Sequence, residues 1–212
     1  LPTYEAIGAE SSLIHMVRTL INRLGTPESL LVSDPAELRV HVSKGRSRGR
    51  RDAPLILFGT AFGLLEMIEE EPVELPVASL VIETGGMKSR RREVDRTTLH
   101  GRLAAGFSLP RKSIRSEYGM CEMLSQFYTL GGEIFYPPPW VRVKVVDPDR
   151  PQLEINRGRP GLLAVFDLAN CDSVSPILTA DLVREEAAGF EVLGRLENAE
   201  LRGCNFLFEH GQ

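Results

Sequence analysis

A strand–helix–strand pattern near the middle of the chain places the strongest constraint on its fold. Residues 55–60 form a short apolar run that ends in Gly59-Thr60, residues 61–71 have helical character, and residues 77–82 form a second apolar run. This spacing predicts a parallel crossover unit. Because ligands in such folds collect at the carboxyl ends of the strands, we expect a site where Gly59-Thr60 and Thr84-Gly85-Gly86 lie.

Further elements are predicted on both sides of this unit. Apolar residues recur at helical spacing over residues 10–24, and Thr26-Pro27 predicts the start of another helix, with proline in its first turn. Residues 44–53 are basic and rich in glycine, which favours a solvated loop over the alternative of a phosphate-binding loop. Asp95 begins a helix that runs to about residue 105.

Three consecutive prolines at residues 137–139 mark a change in the chain. Proline ends helices and favours an extended path, and beyond this point residues 141–145 alternate apolar and basic side chains, as in a half-exposed strand. We therefore predict an α/β protein, with a parallel-sheet α/β subdomain over residues 1–137. A smaller, β-rich subdomain is predicted over residues 138–212.

The stretch Ser116-Glu117-Tyr118-Gly119-Met120-Cys121-Glu122 carries the residue types that nucleotide chemistry needs. An aromatic ring can stack on a base, a glycine lets a phosphate approach the backbone, and a carboxylate can hold a divalent cation. We expect a strand over residues 114–118 and a helix over residues 120–127. Glu122 would then lie in the first turn of that helix, close to the phosphates.

Three more segments are candidates for the same site. Residues 83–88 supply bare backbone at Gly85 and Gly86 and a cation at Lys88, residues 179–182 supply Asp181, and Gly194-Arg195 follows. The hypothesis is that the fold gathers all four segments around one nucleotide. Each segment taken alone is also typical of an ordinary turn.

Composition excludes several other classes of protein. The net charge of −4 and the absence of aromatic residues interleaved with the basic runs argue against nucleic-acid binding. No apolar run approaches the roughly 20 residues of a membrane span. Three cysteines without metal-ligand spacing indicate a reducing compartment, and we expect a cytoplasmic protein.

Taken together, the motifs resemble those of a known superfamily. Tyr118-Gly119-Met120-Cys121-Glu122 resembles the Tyr-Gly-x-Thr-Glu signature of adenylate-forming enzymes, the acyl-CoA synthetase superfamily, and residues 179–182 resemble their Thr-Gly-Asp motif. Residues 194–203 resemble their hinge motif. Within the superfamily, the chain from about residue 58 onward is most similar to the acyl-protein synthetases, the fatty-acid-activating subunits of bacterial luminescence operons.

The resemblance implies a site for ATP or AMP. Tyr118 would stack on the adenine, Asp181 would accept hydrogen bonds from the ribose hydroxyls, and Arg195 would reach the ribose or a phosphate. The whole predicted binding set is Gly85, Gly86, Tyr118, Gly119, Met120, Cys121, Asp181 and Arg195.

The resemblance also implies the catalytic groups. Glu122 would help to hold Mg²⁺ against the phosphates, and Lys88 would offset their charge. Cys204 fits the position of the cysteine that carries the acyl group in luminescence-type relatives, although an unpaired cysteine is at least as typical of a small buried apolar residue.

The implied function is ATP-dependent activation of a carboxylic acid, a fatty acid by this resemblance, with transfer to a thiol of a protein cysteine or of CoA. The family's Ser-Gly-Thr-Thr-Gly-type phosphate loop and its C-terminal lid with the catalytic lysine do not occur here, and Cys121 replaces the signature threonine. The chain is therefore expected to need a missing N-terminal part or a partner subunit. The alternative is a catalytically incomplete module that binds AMP or another protein.

Overall fold

The computed structural model describes residues 12–29, 31–32, 34–47, 53–85 and 95–196. The helices are α1 Ser12–Leu24, α2 Pro35–Ser47, α3 Ala61–Glu70 and α4 Arg96–Gly106, with a single 3-10 turn at Arg111–Ser113. The strands are β1 Ile56–Thr60, β2 Leu80–Thr84, β3 Ile114–Tyr118, β4 Phe127–Thr129, β5 Ile134–Tyr136, β6 Val141–Val146, β7 Pro160–Asp167, β8 Pro176–Glu186 and β9 Gly189–Arg195.

The predicted crossover unit is confirmed. β1 and β2 pair in parallel and α3 connects them, and β2 also pairs in parallel with β3. The carboxyl ends of these three parallel strands therefore lie at one edge of the sheet.

The side chain of Thr60 caps α3 by accepting a 3.1 Å hydrogen bond from the Gly63 amide. Asp95 caps α4 in the same way through the Thr98 amide.

All the described strands belong to one nine-stranded sheet, in the order β1-β2-β3-β4-β5-β9-β8-β7-β6. From β3 onward each neighbouring pair is antiparallel. The last strand in the described part of the chain, β9, lies between β5 and β8 and joins the first five strands to the other three. The predicted fold class, an α/β sheet followed by a β-rich part, is confirmed.

Two apolar cores stabilise the two parts of the sheet. The first packs the helices α2, α3 and α4 against β2 and β3, with Leu65, Leu103 and Phe107 almost fully buried. The second lies within the antiparallel part, around Phe127, Phe135 and Phe190. The subdomain boundary near residue 137 stays a prediction.

Two local predictions before β1 are wrong. No helix begins at Thr26-Pro27, because the Ser29 hydroxyl accepts a hydrogen bond from the Thr26 amide and closes a turn there. The helix α2 begins at Pro35 instead, where Asp34 caps it by accepting a 2.7 Å hydrogen bond from the Glu37 amide. The predicted basic loop is helical over residues 44–47, and residues 48–52 lie outside the described part of the chain.

None of the helices in the described part of the chain combines the length and apolar character that a bilayer crossing requires.

Candidate functional site

The site begins where β2 and β3 end side by side. The register pairs Thr84 with Glu117, so that Gly85 and Tyr118 follow at neighbouring strand ends. Gly85 has a φ of 83°, a left-handed conformation that glycine adopts without strain, and it is exposed with open space where a side chain would be. This arrangement leaves the backbone at this strand end exposed.

Tyr118 reaches across the molecule to Asp181 in β8. Its phenol oxygen donates a hydrogen bond of 2.7 Å to Oδ2 of Asp181. Tyr118 and Asp181 come from two of the four segments that the sequence singled out. The structure therefore brings these two segments together.

Arg195 completes this corner. It lies directly opposite Asp181 in the β8–β9 ladder, and its Nε is 3.9 Å from Oδ1 of Asp181. The side chains of Arg195 and Asp181 are 26% and 19% exposed, so both can be reached from solvent. Tyr118, Asp181 and Arg195 thus form a small cluster with an aromatic ring, a carboxylate and a guanidinium.

Thr179 holds the backbone on which Asp181 lies. Its buried hydroxyl donates a 3.0 Å hydrogen bond to the Leu163 carbonyl in β7 and accepts one of 3.1 Å from the Asp181 amide. The Thr-Ala-Asp spacing has a local reason, since the threonine fixes the residue two positions later. No sequence argument had given Thr179 this role.

Tyr118 is also part of an aromatic cluster. Its ring centroid lies 5.7–5.8 Å from those of Phe127, Phe135 and Phe190, and two of the three contacts are edge-to-face. Burial, and then the negative charge of Asp181, raise the pKa of the Tyr118 phenol far above its usual value. The phenol therefore stays protonated and remains a hydrogen-bond donor.

The helix predicted over residues 120–127 is wrong. The chain makes a turn here, with a 3.1 Å hydrogen bond from the Met123 amide to the Met120 carbonyl, and then enters β4. A helix would need the amides of Leu124 and Ser125 as intrahelical donors, but both donate to the carboxylate of Asp167. Because these two amides donate to the Asp167 side chain, the segment does not form the helix that its sequence pattern predicts.

The predicted binding and catalytic residues on this turn have different surroundings. Gly119, Cys121 and Glu122 are exposed, whereas Met120 is partly buried against the second core. A side chain on Gly119 would meet Oε1 of Glu117 at 2.7 Å. This oxygen is the far end of a flexible side chain that can move aside, so sterics alone do not require glycine at this position.

Three predicted residues cannot be placed. Gly86, Lys88 and Cys204 lie outside the described residues. Their roles stay predictions.

A buried polar cluster that the sequence analysis missed lies under the ends of β2 and β3. Ser116 donates a hydrogen bond to Glu83, and Nε2 of His100 lies 3.0 Å from the Ser116 hydroxyl and 3.4 Å from Oε1 of Glu83. All three side chains are almost fully buried, so the cluster connects β2, β3 and α4 and is closed to substrate. The signal in the sequence was two polar residues at inward-facing strand positions.

Among the residues that the structure describes, no group of three or more histidine, cysteine, aspartate or glutamate side chains could hold a metal ion. Mg²⁺ can be held by one or two carboxylates together with substrate phosphates, because this ion keeps several of its waters.

Neither a protein-family model nor a curated protein sequence matches the chain. Solved structures do resemble it. The ATP-bound crystal structure of MatB from Rhodopseudomonas palustris superposes with a TM-score of 0.56 and 17% identity, over 79% of this chain and 34% of MatB. The amide bond synthetase McbA from Marinactinospora thermotolerans superposes with a TM-score of 0.55 and 14% identity, over 78% of this chain and 36% of McbA.

A third neighbour is McyG A-PCP complexed with phenylalanyl-adenylate, with a TM-score of 0.50 and 14% identity over 78% of this chain and 34% of that one. At these identities the likeness establishes the fold. This chain has the fold of part of these proteins, and it spans about a third of their length.

Proposed function

We propose that this chain is the nucleotide-binding portion of an enzyme that activates a carboxylic acid as an acyl-adenylate with ATP. The observation that carries the proposal is the contact between Tyr118 and Asp181, with Arg195 beside them. Separate sequence motifs had nominated these residues for adenine, ribose and phosphate. A fold shared with an ATP-bound protein and with a phenylalanyl-adenylate complex supports the same proposal.

The chemistry of the cluster fits adenosine monophosphate. Asp181 is ready to accept hydrogen bonds from vicinal ribose hydroxyls, and Arg195 provides positive charge for an oxygen of the ribose or phosphate. The half-buried ring of Tyr118 is held by its phenylalanine neighbours, so it presents a rigid apolar surface to a base. Gly85 supplies a backbone edge at the neighbouring strand end.

In the first step, a carboxylate oxygen of the acid attacks the α-phosphorus of ATP. The bond from this phosphorus to the bridging oxygen breaks, and pyrophosphate leaves with the electron pair. Such transfers depend mainly on positioning and on neutralisation of charge. Mg²⁺ supplies part of that neutralisation when bound, and Glu122 is the residue that we propose to hold it.

In the second step, a thiolate attacks the acyl carbon and forms a thioester, and AMP leaves with the electron pair of the broken carbon–oxygen bond. The thiol proton passes to solvent or a base before attack. We propose a fatty acid as the substrate and either Cys204 or CoA as the acceptor. These finer assignments rest on the sequence resemblance.

Exchange of labelled pyrophosphate into ATP tests the proposal. The assay uses this chain together with any polypeptide encoded directly upstream, and it supplies fatty, aryl and amino acids in turn. Exchange that depends on one class of carboxylic acid is the expected result. Absence of both exchange and AMP binding would refute the proposal.

A second candidate function is AMP binding without turnover. Its basis is Cys121, which stands in place of the threonine of the Tyr-Gly-x-Thr-Glu signature. Saturable AMP binding without pyrophosphate exchange, also in the presence of the upstream polypeptide, would favour this candidate.

A further inference from the structure

The turn that carries Gly119, Cys121 and Glu122 is fixed at both ends by the sheet. It leaves β3 at Tyr118 and enters β4 at Phe127, and these two residues are direct partners in the antiparallel ladder. We call residues 119–126 the nucleotide segment. Because its ends are joined, its conformation depends on what holds its middle.

Asp167, the last residue of β7, holds the middle of this segment. Its carboxylate accepts hydrogen bonds from the Leu124 amide at 2.9 Å, from the Ser125 amide at 2.8 Å and from the Ser125 hydroxyl at 2.7 Å. A further hydrogen bond comes from the Ala169 amide at 3.0 Å. All of these donors are directed at one carboxylate that has no exposed surface.

Asn170 adds a second attachment three residues later. Its side-chain amide donates to the Glu122 carbonyl at 3.1 Å and to the Val174 carbonyl at 3.3 Å. Asn170 is itself buried, and its own amide donates to the Asp167 carbonyl at 3.1 Å. Asp167 and Asn170 therefore act as one unit, which contacts the nucleotide segment at Glu122, Leu124 and Ser125.

A third element reinforces the attachment. The indole Nε1 of Trp140, directly after the three prolines, donates a 2.9 Å hydrogen bond to the Ser125 hydroxyl. The Ser125 hydroxyl thus accepts from Trp140 and donates to Asp167, so both of its roles are used.

Electrostatics explain why the carboxylate remains ionised. Burial alone would raise the pKa of Asp167, but the Ser125 hydroxyl and the backbone amides of Ala169, Leu124 and Ser125 hold the pKa below its ordinary value. A buried, ionised acceptor makes strong hydrogen bonds, and the loss of one is costly.

We propose that Asp167 and Asn170 are positioning residues for nucleotide binding. They hold the nucleotide segment in its turn conformation and away from a helix, so that Gly119 and Glu122 keep fixed places beside Tyr118. A segment that is ordered before binding does not pay that ordering cost when the ligand arrives, which favours affinity. The inference rests on the proposed function, because it assumes that the segment contacts a nucleotide.

The experiment measures AMP affinity and amide hydrogen exchange in the complete chain for Asp167→Asn and Ser125→Ala. The matched control is Asp147→Asn, because Asp147 also accepts two backbone amides in a turn but lies at the other end of β6. We expect Asp167→Asn to weaken AMP binding about tenfold or more, and Ser125→Ala to weaken it severalfold. In the absence of nucleotide, amide hydrogen exchange at Leu124 and Ser125 should be faster in the variants than in the unaltered chain. The control variant Asp147→Asn should leave AMP affinity unchanged.

The outcomes separate the inference from the proposed function. If the unaltered chain binds AMP and both variants bind it equally well, the inference is wrong and the proposed function stands. If the unaltered chain does not bind AMP, the proposed function fails, and with it the nucleotide role of the segment. Should Asp167→Asn fail to fold, Ser125→Ala and Asn170→Ala replace it, and AMP affinity unchanged in both would overturn the inference.

Discussion

The phenol of Tyr118 donates a 2.7 Å hydrogen bond to Asp181, although β4, β5 and β9 lie between their strands in the sheet. Neighbouring strands lie about 4.8 Å apart, so four such steps would separate the two strands by about 19 Å in a flat sheet. The direct contact therefore requires the sheet to curl around the phenylalanine core. Curvature of the sheet brings the two motifs together.

Removal of the phenol hydroxyl should separate its structural role from that of the ring. Tyr118→Phe loses the hydrogen bond to Asp181. We expect the free energy of unfolding to fall by about 1–2 kcal/mol, which lowers the Tm by about 2–8 °C. If the ring stacks on adenine, AMP affinity should change less than about threefold, whereas Tyr118→Leu should lose about tenfold. Thermal unfolding and calorimetric titration measure both effects.

Tyr128→Phe is the control for Tyr118→Phe, because Tyr128 is also half-buried and donates a hydrogen bond, to Gln126. Complete loss of AMP binding in Tyr118→Phe alone would contradict the stacking role. In that case the hydroxyl group of Tyr118, rather than its ring, would contact the ligand.

The carboxylate of Asp181 should recognise the ribose hydroxyls. The unaltered chain is expected to bind AMP about tenfold or more tightly than 2′,3′-dideoxy-AMP, because each lost hydrogen bond to a charged acceptor weakens binding. Asp181→Ala should bind the two ligands equally. Exposed Asp149 provides the comparison, and Asp149→Ala should discriminate as the unaltered chain does. If Asp181→Ala still prefers AMP to 2′,3′-dideoxy-AMP as strongly as the unaltered chain does, Asp181 does not contact the ribose hydroxyls.

Glu117 should make stability depend on pH. Burial raises its pKa, the Thr84 hydroxyl lowers it by donating a hydrogen bond, and the nearby charge of Glu83 raises it further. Because the folded pKa lies above the unfolded one, the contribution to stability is complete below the unfolded pKa. It is lost as the pH rises through the folded pKa.

The Glu117→Gln variant has no carboxyl group to titrate at this position, so its stability should not fall in this way as the pH rises. We expect its Tm to exceed that of the unaltered chain at pH 8 and the difference to shrink toward pH 4. Each kcal/mol corresponds to about 2–4 °C for a chain of this size. A Tm difference that is constant from pH 4 to pH 8 would show that Glu117 does not titrate differently on folding.

Glu122 should matter for turnover and little for stability. Its side chain is exposed, so Glu122→Gln should change the free energy of unfolding by less than about 0.5 kcal/mol. Pyrophosphate exchange should fall at least tenfold and should need more Mg²⁺ for half-maximal rate. Equal losses of stability and activity would indicate a structural role for Glu122 instead.

Cys204 is the proposed acyl carrier. Incubation with ATP and a labelled fatty acid should give a thioester that hydroxylamine releases, and Cys204→Ser should abolish it. Cys171 is exposed in the structure, so Cys171→Ser is the matched control and should retain the label. Label that persists in Cys204→Ser would assign the thiol acceptor elsewhere.

The parts of the fold set by local patterns could be predicted from the sequence. The crossover unit follows from two apolar runs around a helical segment, and α4 follows from the capping residue Asp95. Interactions with distant residues could not be read in this way. The turn after Tyr118 has a helical pattern, yet Asp167, more than 40 positions away, captures the amides that a helix would need.

The same limit applies to the site. The resemblance to adenylate-forming enzymes nominated Tyr118 and Asp181 for one site, but only the curled sheet shows that they touch. Asp167 and Asn170 act through hydrogen bonds to backbone atoms more than 40 positions away, which leave no pattern in a single sequence. Thr179 lies in the motif at residues 179–182, but its hydrogen bonds to Leu163 and Asp181 were not predicted.

The place of β9 has a consequence for how the protein assembles. Because β9 fills the gap between β5 and β8, each of these two strands has an unpaired edge when residues 189–195 are absent. Exposed edges of this kind invite pairing with other chains. A polypeptide truncated before residue 189 is therefore expected to aggregate through the exposed edges of β5 and β8, and it lacks the Arg195 side chain that lies beside Asp181.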